Sequence, residues 1–91
     1  MKYAAQYSNR FKKDLKRCQK RGYNLSNLKK VIDLLASNGT LPSQYKPYKL
    51  SGKYTGCWEC HIESDWLLVW IQNDTELILL FTNTGTHADL F

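Results

Sequence analysis

The sequence predicts an α+β domain in which two amphipathic helices precede a twisted, mostly antiparallel sheet. Three observations carry this. Apolar residues recur at helical spacing between Phe11 and Leu35, and after Gly56 the pattern changes to short runs rich in β-branched and aromatic residues. The length, 91 residues, suffices for one hydrophobic core and not for two, so a single domain spanning 1–91 is expected.

Taken in order, residues 2–7 form a short β-prone opening. A helix is expected from about Ser8 to Arg21, because Phe11, Leu15 and Cys18 make one buried stripe, Ser8 suits an N-cap and Gly22 a stop. A second helix is expected from about Ser26 to Ser37. Leu28, Val31, Ile32 and Leu35 form its stripe and Gly39 ends it. The short connection predicts an antiparallel helical hairpin packed on one face of the sheet. A loop from Thr40 to Gly56 follows, carrying Pro42, Pro47 and Gly52. Strands are expected at Cys57–Ile62, Trp66–Gln72 and Glu76–Thr82.

Hairpin arithmetic assigns the faces. A two-residue turn at Ser64-Asp65 pairs Glu63 with Trp66 and His61 with Leu68. Side chains alternate along a strand, so Trp58, Cys60 and Ile62 share the helix-facing side with Leu67, Val69 and Ile71. Cys57, Glu59 and His61 then stand on the opposite face with Trp66, Leu68 and Trp70. A histidine and a carboxylate beside exposed tryptophans mark that face as the functional one.

The net charge of +5 hides an asymmetry. All thirteen Lys and Arg lie at or before Lys53, against only Asp14 and Asp33, a net of +11. From Tyr54 onward six acids and no Lys or Arg give −6. Charge alone fits an anionic partner, nucleic acid first, and a solvated basic helix equally well. A hydrophobic fraction of 43% argues against disorder. Met1–Tyr7 lacks the apolar run of an export signal, and no stretch approaches the roughly 18 apolar residues of a membrane span. A cytoplasmic protein without membrane association is expected.

Cys57-Trp58-Glu59-Cys60-His61 spells C-x-x-C-H, a pattern of haem attachment and, in its C-x-x-C core, of redox or zinc sites. In a strand, however, residues three apart point to opposite faces about 10 Å apart, beyond the roughly 7 Å that a disulfide spans. No second cysteine pair completes a zinc set. Packing cysteines are the better reading.

The run Cys60-His61-Ile62-Glu63-Ser64-Asp65-Trp66-Leu67-Leu68-Val69 resembles the H-[VI]-x-x-D-x-L-L-[VI] segment of YafQ-type toxins in the RelE/ParE superfamily. Thr84-Gly85-Thr86-His87-Ala88-Asp89-Leu90-Phe91 is similar to the TGTHxxLF ending of that family, and Leu50–Gly56 to its L-x-G-x-[WY] turn. The resemblance covers the whole chain. It implies a RelE-like fold and a ribosome-dependent mRNA endoribonuclease that needs no metal and no cofactor. It also implies the ribosome, mRNA and a cognate DinJ/RelB-like antitoxin as partners. In such chemistry the 2′-hydroxyl attacks the adjacent phosphate, which calls for a base, an acid and positive charge on the phosphate.

Carried over residue by residue, the resemblance assigns His87 as general acid. His61 becomes phosphate ligand or proton partner, Asp65 the group that orients an imidazole, and Phe91 a base-stacking side chain. Three positions depart from the family pattern: Tyr48 and Asn83 replace a histidine and an arginine, and Glu59 stands where a basic residue is common. Tyr48 joins His61, Asp65 and His87 as a candidate catalytic residue. Lys46, Lys49 and Lys53 are candidates to supply the missing charge, and Lys13, Lys16, Arg17 and Lys20 to bind RNA. The alternative reading is a catalytically impaired homologue that binds its antitoxin, with or without the ribosome, and does not cleave efficiently.

Overall fold

The computed structural model describes residues 2–91. The chain runs β1 (Ala4–Tyr7), α1 (Asn9–Lys20), α2 (Leu25–Asn38), β2 (Tyr48–Lys49), β3 (Cys57–Glu63), β4 (Trp66–Asn73), β5 (Ile78–Gly85) and α3 (His87–Leu90). The strands form one sheet in the order β1-β5-β4-β3-β2, with β1 parallel to β5 and the other pairs antiparallel. No helix among the described residues is long and apolar enough to cross a membrane.

Both long helices begin and end on local signals. Ser8 Oγ accepts from the Phe11 N–H at 3.0 Å and caps α1, while Gly22 follows it at φ +80°. The cap of α2 is Asn24, whose side chain accepts from Ser26 N, so the helix starts one residue earlier than expected. Gly39 closes it in the left-handed region at φ +72°. A Cβ there would also lie 2.6 Å from the Tyr3 ring, so position 39 requires glycine twice over. The helical stripes meet Cys60, Ile62, Trp66, Leu68, Trp70, Leu79 and Phe81 in one core.

That core overturns half of the expected face assignment. Trp66 and Trp70 are 2% and 1% exposed and face the helices, as does Leu68; Leu67 and Val69 lie on the other side with Glu59 and His61. The cause is a β-bulge at Ile62: His61 pairs with Leu67, and Glu63 with Trp66, leaving one extra residue on β3. Without the bulge two tryptophans would stand in solvent, each forgoing about 2–3 kcal/mol of burial. A second bulge falls on β5, where Val69 pairs with Asn83 and Trp70 with Phe81. It shifts the alternation so that Phe81 and Thr84 both face the helices while Asn83 faces away.

β5 also starts later and runs further than expected. Asn73 Oδ1 accepts from the N–H groups of Thr75 and Glu76, holding a turn in which Leu77 takes φ +57°. Glu76 therefore belongs to the turn, and the strand continues to Gly85. The cysteine motif behaves as packing: Cys60 faces the core opposite Leu68, Cys57 the other side opposite Ile71, and both are free thiols. Burial pushes the Cys60 thiol up to about 12, far from a reactive thiolate.

Candidate active site

The two bulges line up a row of side chains across the face away from the helices: Tyr48 on β2, Glu59 on β3, Val69 on β4 and Asn83 on β5. The next row holds His61, Leu67 and Gly85. Over it turns the C-terminal segment. Gly85 permits the turn, since its φ is +155° and a Cβ would lie 2.8 Å from the Asp89 carboxylate.

The short helix α3 is fixed by Asp89. Its carboxylate accepts from Thr86 N at 2.9 Å while Thr86 Oγ1 accepts from Asp89 N, a reciprocal cap. Arg21 of α1 adds a two-point fork to Asp89, at 2.6 and 3.0 Å. The Arg21 hydrogen bonds hold the Asp89 carboxyl well below the usual carboxylate range. A depressed folded-state pKa contributes stability above the unfolded value and loses it only as pH falls through the lowered one. The anchorage of α3 is therefore expected to persist through mild acid. Amide NMR signals of residues 86–91 should stay native-like from pH 7 to about 4.5.

Beneath α3 lies a second anchor, Asp14, buried at 1% exposure on α1. Its Oδ2 accepts from the Thr84 N–H at 3.2 Å, and its Oδ1 from Arg10 Nε at 3.1 Å and Arg17 Nη2 at 3.0 Å. β1 pairs with β5 only as far as Phe81, and the Asp14 carboxylate satisfies a donor on the edge beyond it. Asp14→Ala orphans that buried N–H at a cost of roughly 2–3 kcal/mol. Thermal denaturation should show the midpoint lowered by about 10–20 °C.

On this scaffold the expected catalytic residues converge. His87 Nδ1 donates to Asp65 Oδ1 at 2.8 Å, and the His87 backbone N–H reaches the same oxygen at 3.1 Å. The imidazole hydrogen bond, then the backbone one, lowers the Asp65 pKa from 3.8. Asp65 is thus anionic at neutral pH and keeps the proton on Nδ1, presenting Nε2 of His87 to the cleft. His61 is held alike, with Nδ1 3.3 Å from the Ser64 carbonyl oxygen and Nε2 3.9 Å from Glu59 Oε1. The two imidazoles lie 5.8 Å apart, and Phe91 lies 6.4 Å beyond His87.

Glu59, which the sequence reading put on this face without counting it among the catalytic candidates, stands beside the histidines. It is 1% exposed, and its Oε1 has no hydrogen-bond partner among the described residues. Tyr48, paired with it across β2 and β3, has its phenol pKa raised, first by its hydrogen bond with the Glu59 side chain. Tyr48 therefore stays protonated beside Glu59 at neutral pH. Glu59 is thus a buried carboxylate with one oxygen unpartnered among the described residues, 3.9 Å from His61 Nε2. Glu59, His61 and His87 each offer one atom within 4.8 Å of the others, so the same three could also ligate a metal ion.

The expected cations divide. Lys49 pairs with Trp58 and lies over its ring at 5.5 Å, on the helix side of the sheet, so it cannot charge the site. Lys46 stands exposed after a 3-10 turn, at φ +49°. Lys53 is placed better, 5.9 Å over the Tyr54 ring, which itself packs edge-on against Phe91 at 5.0 Å. Arg17 is engaged by Asp14 and Asp89 and is less available to RNA than Lys13, Lys16 and Lys20, which stay exposed.

Comparison with known proteins places this geometry. A family model described as the bacterial toxin YafQ of type II toxin–antitoxin systems matches residues 3–91. The mRNA interferase toxin YafQ of Escherichia coli strain K12 is 40% identical over 87 residues, covering 94% of this chain and 92% of that protein. The solved E. coli DinJ-YafQ toxin-antitoxin complex matches with TM-score 0.89 and 38% identity over 100% of this chain and 99% of the other. A metal-bound toxin from Helicobacter pylori matches with TM-score 0.89 and 36% identity, over 98% and 99% of the two chains.

Proposed function

The chain belongs to the YafQ family of bacterial type II toxins, and from that premise we propose that it cuts mRNA on the ribosome with Glu59 as base and His87 as acid. The observation that carries this reading is the pairing of a buried, half-unpartnered Glu59 with an imidazole whose Nδ1 is held by Asp65.

The Glu59 carboxylate takes the proton of the 2′-hydroxyl as that oxygen bonds to phosphorus. Imidazolium His87 gives its Nε2 proton to the departing 5′-oxygen as the phosphorus–oxygen bond breaks. A 2′,3′-cyclic phosphate and a 5′-hydroxyl result, and water later restores both protonation states. His61, when protonated, holds a phosphate oxygen, with its Nε2 3.9 Å from Glu59 Oε1. Tyr48 orients Glu59 through its phenol and replaces no base. Asp65 is a positioning residue. The experiment is translation in vitro with purified protein, with cuts mapped by primer extension.

An antitoxin is the second partner, as in the DinJ-YafQ complex. The surface it must cover carries +11 over residues 1–53, so its wrapping segment is acidic and the complex weakens as salt rises. Calorimetry at two salt concentrations checks this, and affinity indifferent to salt contradicts it.

The free Oε1 of Glu59 favours one more role for the cluster. An ion such as Cu(II) on Glu59, His61 and His87 would withdraw the base and both imidazole nitrogens from proton transfer. Stoichiometric copper is therefore expected to inhibit cleavage, with a chelator restoring it. Cleavage unaffected by bound copper would remove this role.

A further inference from the structure

We propose that a pocket of about 330 Å³ between the start of α1 and the C-terminus is a nucleotide subsite, with Arg10 as its phosphate ligand. The proposal deepens the endoribonuclease reading and rests on it for the identity of the nucleic acid. The lining combines two chemistries: the polar groups of Thr82, Asn83 and Arg10, and the rings of Tyr54 and Phe91, perpendicular at 5.0 Å. Donors and a cation together with an aromatic corner match a nucleotide, whose phosphate takes the first and whose base takes the second.

Arg10 has the only charged side chain among the described residues lining the pocket. Its Nε donates to Asp14 Oδ1, which fixes the plane of the guanidinium, and no other hydrogen bond engages its two amino groups among the described residues. Asp14 shares one carboxylate oxygen between Arg10 and Arg17. With Asp89 and Arg21 the cluster holds three guanidiniums against two carboxylates, a net of +1, and the Arg10 side chain is 57% exposed, so it is reachable.

The pocket adjoins the reacting groups without coinciding with them. Asn83 stands in the same row as Glu59, two strands away and so about 10 Å distant, while Phe91 touches both pocket and His87. It therefore holds the nucleotide beside the cleaved bond. Asn83, where the resemblance places an arginine, donates through Nδ2 to Asp14 Oδ2 at 3.5 Å, the same carboxylate that Arg10 binds.

Arg10→Ala is expected to lower cleavage at least tenfold, mainly through KM, with a melting temperature lowered far less than in Asp14→Ala, since Arg17 and the Thr84 N–H still hold Asp14. Arg10→Lys should recover part of the loss, and Asn83→Arg in the Arg10→Ala background should recover more than it adds to the wild type. A short all-deoxy trinucleotide, which cannot be cleaved, serves as the binding probe. It should shift the NMR signals of Tyr54 and Phe91 in the wild type, and the slope of log affinity against log salt should fall by about 0.7 in Arg10→Ala. Cleavage within twofold of wild type in Arg10→Ala overturns the proposal, as does a loss that neither Arg10→Lys nor Asn83→Arg restores. Probe binding that depends on Arg10, in a protein that cuts no mRNA, would sustain the pocket and reject the nuclease reading. Cleavage with no probe binding would do the reverse.

Discussion

His87→Ala is expected to lower ribosome-dependent mRNA cleavage by about 10²–10⁴-fold, the range that a positioned proton donor supplies. The fold should not register the change. The His87 side chain is 55% exposed and, among the described residues, bonds only to Asp65, while α3 is held by Asp89, Thr86 and Arg21. Melting temperature and antitoxin affinity should therefore match the wild type. Asp65→Ala should cost less, because the imidazole remains and only its orientation is released. A loss in Asp65→Ala as large as in His87→Ala would give Asp65 a direct part in the chemistry.

Glu59→Gln is expected to produce a loss of similar size, about 10²–10⁴-fold, with a different signature. Glu59 is buried with an unpartnered oxygen, so retaining the shape while removing the charge relieves a desolvated group. Thermal stability should hold or rise as activity falls, the pattern of a group kept for function at some expense to the fold. A clear fall in melting temperature with residual activity near wild type would instead make Glu59 a structural acid. Proton acceptance would then pass to His61, whose Nε2 is 3.9 Å away.

Much of this was legible from the residues. Helix limits followed Ser8, Gly22 and Gly39, because caps and stops are local chemistry and need no partner. His61, Asp65 and His87 meet as their motifs suggested, although 26 positions separate the histidines. The face of β4 was not legible. Alternation predicts sides only if no residue is inserted, and the bulge at Ile62 is selected by where two tryptophans can be buried. Glu59 looked like a lost cation because sequence shows a residue's charge but not its burial or its missing partner. Arg10 was hidden in the basic stripe of α1 for a related reason. Which cations of that helix are engaged depends on Asp14 and Asp89, and Asp89 arrives from the far end of the chain.

The most direct test of the central claim is the chemistry of the cut ends. Ribosomes translating a defined mRNA would be treated with purified protein, and the fragments examined by primer extension and mass spectrometry. The acid–base reading predicts cuts that require the ribosome and leave a 5′-hydroxyl beside a 2′,3′-cyclic phosphate or 3′-phosphate. These products should disappear with His87→Ala and Glu59→Gln. Fragments carrying a 5′-phosphate and a 3′-hydroxyl would contradict attack by the 2′-hydroxyl. An uncut message under conditions where the protein still binds its antitoxin would contradict the nuclease reading itself and leave a binding-only homologue.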